Sequence, residues 1–166
     1  MRLGTALSAI LSLAAILTSP ALAKDPDYLR LAIGRFDVLD DETAIEFRAE
    51  YQSDVELLIV KPFGGVMGTS DGALYGYGGF LADIELGRRF VLTPSLAAGL
   101  YENGGGKDLG YAVEFRSSIE VAYRFDDQSK VGLSLYHISN ASLSKDNQGT
   151  EIVSLSYSIP ISRLFR

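Results

Sequence analysis

The chain has 166 residues, no cysteine and a formal net charge of −6. This length suits one domain rather than two, the acidic balance argues against a nucleic-acid surface, and the lack of cysteine excludes a disulfide scaffold. Stability must therefore come from packing or from a closed hydrogen-bond network, which a β-barrel provides.

The N-terminus has the order of a secretory signal peptide. Arg2 precedes an apolar run from Leu3 to Leu17, and Ala21-Leu22-Ala23 offers a small-residue cleavage site. We expect residues 1–23 to be removed and residues 24–166 to form one domain, with a net charge of −7 once Arg2 is lost. No later stretch approaches the roughly 20 apolar residues that a membrane-spanning helix needs.

Period-two alternation of apolar and polar residues recurs along the chain and is typical of β-strands. In the segment 112–125, one face carries Val113, Phe115, Ile119, Val121 and Tyr123, and the other carries Glu114, Arg116, Glu120 and Arg124. Such strands suit a soluble sandwich with an apolar core or a membrane barrel with an apolar outside. Export, the absence of helix-period segments after residue 23, and alternating long and short connections favour the barrel.

The predicted fold is all-β: an eight-stranded antiparallel transmembrane β-barrel of the outer-membrane type. Its strands are predicted near 28–37, 43–52, 55–62, 73–84, 89–101, 112–125, 130–140 and 150–161. Tight turns are predicted at Ser53-Asp54, around Gly87-Arg88 and at 126–129, and longer connections at 38–42, 63–72, 102–111 and 141–149. Short periplasmic turns with longer outer loops are typical of such barrels. The inward charges are interpreted as ion pairs, because an eight-stranded barrel is filled by side chains.

One group of residues suggests chemistry. His137 is the only histidine, and Ser139 lies two residues further along the same predicted strand face. If 141–149 closes a hairpin, Glu151 can lie directly opposite His137, and directly opposed Cβ atoms are about 4.5–5.5 Å apart. We interpret Ser139 as a nucleophile, His137 as its base and Glu151 as the group that orients the imidazole, with Asn140 as an oxyanion donor. The side chains of His137, Ser139 and Glu151 share the apolar, and hence lipid-facing, side.

The motif His137-x-Ser139-Asn140, with Glu151 twelve residues after the serine, resembles the lipid A 3-O-deacylase (PagL-type) family. The specific likeness covers about 137–157 and includes Asn147-Gln148-Gly149, whereas Ser142 stands where the family's Asn-Ala-Gly version has glycine. The resemblance implies an eight-stranded barrel with an outward-facing triad. It also implies a carboxylic ester hydrolase that releases a 3-hydroxy fatty acid from position 3 of lipid A without a metal or cofactor.

Two other readings stay open at this point. The chain can be a non-catalytic small barrel with a structural or adhesion role, or it can cleave a secondary acyloxyacyl or phospholipid ester. The expected surroundings are the bacterial outer membrane, the expected substrate is lipid A within lipopolysaccharide, and no nucleic-acid partner is expected. A homodimer is an option, and Lys107 or Lys145 is a candidate for contact with lipid A phosphates.

Overall fold

The computed structural model describes residues 25–40 and 43–165. The predicted signal peptide, residues 1–23, lies outside the described residues. The strands are β1 (Tyr28–Phe36), β2 (Ala44–Gln52), β3 (Lys61–Thr69), β4 (Leu74–Leu81), β5 (Ile84–Leu86), β6 (Phe90–Glu102), β7 (Val113–Arg124), β8 (Lys130–Ser139) and β9 (Thr150–Pro160). A short 3₁₀ turn, Ile161–Arg163, follows β9. No helix among the described residues is both long and apolar enough to cross a membrane.

The strands close on themselves into a barrel. Except for β4 and β5, each strand pairs antiparallel with its neighbour in sequence, and β1 pairs with β9, so the ring is closed. Both β4 and β5 pair with β6, and together they fill one position of the ring, interrupted at Ala82 and Asp83. Counting β4 and β5 as one position gives the predicted eight-stranded antiparallel barrel, which is thereby confirmed.

The two faces of the barrel wall have opposite character. Glu46, Arg48, Glu114 and Arg116 point inward and are at most 4% exposed, whereas their apolar neighbours along the strands face outward. Exposed outward residues include Ile45, Phe47, Val66, Phe80, Leu96, Leu100, Ile119, Leu133, Leu135 and Leu155. An apolar outside around a charged inside is the arrangement of a transmembrane β-barrel.

A buried ion-pair network fills the interior. Glu50 accepts hydrogen bonds from Arg30 and Arg116 at 2.9 Å each, and from the Tyr77 hydroxyl at 2.7 Å. Arg30 also binds Glu120. Buried charges are tolerated when they are paired and hydrogen-bonded, and these contacts pair Arg30, Arg116, Glu50 and Glu120. The buried carboxylate of Glu114 has no hydrogen-bond partner among the described residues.

The predicted third strand, 55–62, is wrong. The strand runs from Lys61 to Thr69, and residues 53–60 form a hairpin tip closed by the Leu57–Val60 bridge. The predicted tight turn at Ser53-Asp54 is therefore a longer connection, and most of the predicted loop 63–72 is strand. Apolar Leu57 to Val60 look like a buried strand, whereas the glycines of β3 carry no side chains that could show a period-two pattern.

The connections fall into two sets at the two ends of the barrel. One end carries 53–60, 87–89 and 125–129, together with the start of β1 and the end of β9, which pair at Tyr28 and Pro160. The other end carries 37–40 with 43, 70–73, 103–112 and 140–149. The last two of these are the longest, and the end of β8 and the start of β9 lie beside them.

Candidate active site

The β8–β9 hairpin brings the predicted base and its carboxylate together. His137 and Glu151 are directly opposed in the ladder, and His137 Nδ1 lies 3.0 Å from Glu151 Oε1. Their side chains are 43% and 33% exposed. A neutral imidazole bonded in this way donates its Nδ1–H to the carboxylate and keeps Nε2 as a free base. The pair thus has the geometry of the histidine and acid of a serine-hydrolase triad.

Ser139, the predicted nucleophile, is the last residue of β8 and lies two positions beyond His137 on the same outward face. It is half-buried and pairs with Phe115 of β7. Within the described residues no hydrogen bond joins the Ser139 hydroxyl to His137. Nucleophile-to-base bonds are often long before substrate binds, so the serine is placed beside the base without being locked to it.

Gly149 packs against the imidazole, a contact that the sequence interpretation missed. Its φ of +62° lies in the left-handed region, and a Cβ at this position would lie 2.8 Å from His137 Cε1. Only glycine therefore fits both the backbone and the ring without displacement. The position of this glycine, directly before the strand that carries Glu151, could have drawn attention to it. The sequence could not show, however, that the glycine would contact the His137 ring.

Asn140 is fully buried and holds the outer loops together. Its side-chain amide donates to the carbonyl oxygens of Asp146 at 2.7 Å and Leu109 at 3.1 Å, and its backbone N–H donates to Asn147 Oδ1 at 3.1 Å. All of its donors are engaged in these contacts. The oxyanion role of Asn140 stays a prediction, and the observed bonds make it an anchor between the connections 103–112 and 140–149.

A strained turn follows Asn140. Ala141 and Ser142 have φ values of 51° and 66°, and Leu143 N–H donates to Asn140 O at 3.0 Å, as in a type I′ turn. Such conformations cost about 1–3 kcal/mol per residue and concentrate at functional sites. Glycine at position 142 would adopt this φ without strain.

A groove runs down the outer wall from the histidine. It is shallow and open, with a volume of about 330 Å³, and it is lined by Ser117, Ser118, Ile119, Leu135, Tyr136, His137 and Glu151. Ser117 lies directly across from His137 in the ladder, and its small side chain leaves room beside the imidazole. An apolar chain can therefore lie along the wall with its polar end at the candidate site. A larger pocket, about 480 Å³, lies at the opposite end near Arg88 and Arg124, away from this site.

Lys107 is not free to meet a phosphate, which corrects the interpretation made from the sequence. It is 6% exposed, and its ammonium group donates to Asp37 at 2.7 Å and Asp40 at 2.8 Å. Burial lowers the pKa of Lys107, but the bonds to the two carboxylates outweigh it and raise the pKa above its ordinary value. Lys145 is exposed in the connection 140–149. No cluster of three potential metal ligands forms within the described ranges.

Comparison with known proteins is consistent with this geometry. The sequence model of the family described as lipid A 3-O-deacylase (PagL) matches residues 45–160, which include His137, Ser139 and Glu151. A curated relative, lipid A deacylase PagL of Pseudomonas aeruginosa, is 39% identical over 57 residues, 34% of this chain and 33% of the relative. The chain thus matches about a third of that relative's length.

Two solved structures have the same fold. A crystal structure of the outer membrane enzyme PagL superimposes with a TM-score of 0.63 at 19% identity, covering 80% of this chain and 99% of that one. A designed transmembrane β-barrel gives a TM-score of 0.55 at 9% identity, covering 84% of this chain and 100% of that one. At these identities the likeness establishes the barrel architecture.

Proposed function

We propose that this chain, which belongs to the lipid A 3-O-deacylase (PagL) family, hydrolyses the ester that joins a 3-hydroxyacyl chain to position 3 of lipid A. The family match spans the whole β8–β9 hairpin. As an outer-membrane β-barrel, the protein would carry out this reaction within the membrane that contains its substrate.

The observation that carries the proposal is the His137–Glu151 pair on the outer wall. Ionisable side chains on the lipid-facing side of a barrel are unfavourable, by about 2–4 kcal/mol for basic residues at the midplane and less near the interface. A barrel with a purely structural role gains nothing from this pair. A carboxylate within 3.0 Å of the imidazole, with Ser139 beside it, suits catalysis at the membrane surface.

The proposed reaction is acyl transfer through Ser139. His137 Nε2 takes the hydroxyl proton as the Ser139 oxygen attacks the ester carbonyl, and the same histidine returns the proton to the departing lipid A hydroxyl. Water, activated by His137, then hydrolyses the acyl-serine and releases the fatty acid. Glu151 keeps the imidazole in the Nδ1–H tautomer and stabilises its protonated form.

The oxyanion of the tetrahedral intermediate needs hydrogen-bond donors. The strained turn after Asn140 supports a contribution from the backbone N–H groups of Ala141 and Ser142, which lie just beyond the nucleophile. In this proposal Asn140 takes part by anchoring the turn, since its side-chain amide already donates to two carbonyl groups.

The position of the site supports lipid A as substrate. His137 and Ser139 lie at the barrel end that carries the two longest connections, opposite the end where β1 starts and β9 ends. In outer-membrane barrels the longer loops face outward, and lipid A is in the outer leaflet. The groove below His137 would take the acyl chain.

Mass spectrometry of lipid A tests the proposal. Outer membranes would carry either the wild-type protein or Ser139→Ala at matched levels of folded barrel, and only the wild type should lose a 3-hydroxyacyl chain. Loss of a non-hydroxylated chain would instead favour a secondary acyloxyacyl or phospholipid ester. Identical profiles in several lipid A backgrounds would support the non-catalytic barrel.

Two further predictions concern the mature protein. N-terminal sequencing of the exported chain should begin at Lys24 if the signal peptide ends at Ala23. Light scattering in detergent would decide between a monomer and a homodimer, the option that the sequence left open.

A further inference from the structure

We infer that Lys107 is a positioning residue for the catalytic carboxylate, acting through Asp37 and Thr150 to fix Glu151 against His137. The inference rests on the proposed deacylase function for its activity readout, but its structural argument stands on contacts alone. It assigns Lys107 a role in the reaction although the residue touches neither substrate nor any reacting atom.

The connection between β1 and β2 holds the start of β9 at two points. Val38 N–H donates to the carbonyl oxygen of Glu151 at 3.0 Å, and the Thr150 hydroxyl donates to Asp37 Oδ1 at 2.9 Å. Both Thr150 and Asp37 are fully buried. The backbone that carries the Glu151 side chain is thus fixed from outside its own hairpin.

The buried carboxylate of Asp37 is stabilised by Lys107. Its Oδ1 accepts hydrogen bonds from both Lys107 and Thr150, whereas its buried Oδ2 has no hydrogen-bond partner among the described residues. Asp37 also has a φ of 58°, a strained conformation that surrounding contacts must maintain. Without the ammonium group, Asp37 would be a buried carboxylate with a single hydroxyl donor, which is strongly unfavourable.

Lys107 is in turn fixed by the barrel. The Tyr101 hydroxyl at the end of β6 donates to the Lys107 carbonyl oxygen at 2.8 Å. The lysine side chain then reaches across the barrel end to Asp37, and Asp40 accepts a second bond at 2.8 Å. A chain of short contacts therefore leads from the β6–β7 connection through Asp37 to the strand that carries Glu151.

The activity test compares Lys107→Met with Lys107→Arg and Arg88→Met. Methionine keeps the length of the side chain without its charge, arginine restores the charge, and exposed Arg88 at the opposite end controls for loss of a positive charge. Lys107→Met should lower kcat about tenfold to hundredfold, as expected for misplacement of a catalytic group by up to about 1 Å. KM should stay unchanged, Lys107→Arg should recover most of the activity, and Arg88→Met should match the wild type.

A spectroscopic test is independent of activity. His137 is the only histidine, so the ring ¹⁵N signals of the folded protein in micelles report its tautomer alone. The wild type and Lys107→Arg should show the Nδ1–H form, and Lys107→Met a mixture of tautomers. If Lys107→Met does not fold, the double variant Lys107→Met/Asp37→Asn removes both buried charges and takes its place.

The outcomes separate the two proposals. If the wild type releases no fatty acid, the proposed function fails, and the NMR comparison still decides the role of Lys107. If folded Lys107→Met, or the double variant in its place, keeps both wild-type kcat and the wild-type histidine spectrum, Lys107 does not position Glu151 and the inference is overturned.

Discussion

Replacing Gly149 with alanine should disable the site while leaving the barrel folded. The new Cβ would lie 2.8 Å from His137 Cε1, whereas carbon atoms in contact are ordinarily about 3.5–4.0 Å apart. The imidazole or the backbone at 149 must therefore shift by about 0.7 Å or more, which disturbs the 3.0 Å contact between His137 and Glu151. We expect a drop in kcat of about tenfold to hundredfold.

The same substitution has a backbone cost that needs its own control. An alanine at φ +62° is disfavoured by about 1–2 kcal/mol, which lowers stability without involving the histidine. Gly87→Ala is the matched variant: its φ is +74°, and nothing lies within 4 Å of the added Cβ. Gly87→Ala should show the backbone part of the stability loss alone, with full activity.

The assay measures fatty-acid release from lipid A in mixed micelles, giving kcat and KM, alongside urea unfolding of the barrel in vesicles. The reasoning is refuted if Gly149→Ala retains wild-type kcat and loses no more stability than Gly87→Ala. In that case the imidazole does not rest on this glycine.

Three further predictions concern stability. Glu50→Leu removes the shared acceptor of two buried arginines and should lower the free energy of unfolding, measured by urea titration, by about 3–5 kcal/mol. A loss below about 1 kcal/mol would contradict a stabilising role for the interior ion-pair network. Leu133→Arg on the outer face of β8 should lower the free energy of unfolding in a bilayer by about 2–4 kcal/mol, whereas Leu143→Arg in the connection 140–149 should leave it almost unchanged. Equal losses for the two variants would argue against lipid contact at Leu133. The Lys107 contacts raise its folded pKa above the ordinary value of about 10.4, so their stabilisation is fully present below that pH and is lost as the pH rises through the folded pKa. The difference in melting temperature between the wild type and Lys107→Met should therefore shrink at alkaline pH. A constant difference would show that the charge of Lys107 does not contribute to the stability of the fold.

Where the alternation was clean, the sequence predicted the strand and its faces. In β2 and β7 most charged residues lie inside and most apolar ones outside. In β8 and β9 the apolar residues lie outside, except near the site, where Ile138 and Ile152 are buried, and the serines that alternate with them lie inside: Ser134, Ser154, Ser156 and Ser158. These two strands pair in the symmetric register that opposes His137 to Glu151. Side chains of a strand alternate with a period of two whatever lies around it. The inside and outside of the wall could thus be read from local pattern.

Where side chains were missing or uniformly apolar, the sequence failed. Leu57 to Val60 form an exposed tip rather than a strand, and β3 contains Gly64, Gly65 and Gly68, which show no period. The ladders with β2 and β4 decide where β3 begins and ends. That pairing is a property of the closed sheet and not of the segment itself.

By itself the sequence predicted the barrel class, the two faces of its wall and the opposition of His137 to Glu151. The faces and the opposition follow from alternation and one short hairpin, and the barrel class follows from alternation taken together with the export signal, the lack of helix-period segments and the connection lengths. Only the tertiary structure decided that Gly149 supports the imidazole, that Asn140 ties two loops together, and that Lys107 binds Asp37. The Asn140 and Lys107 contacts join connections far apart in the chain, and even Gly149 meets His137 only once the hairpin has formed. They exist because closure of the sheet brings the ends of β1, β6 and β8 to the same rim.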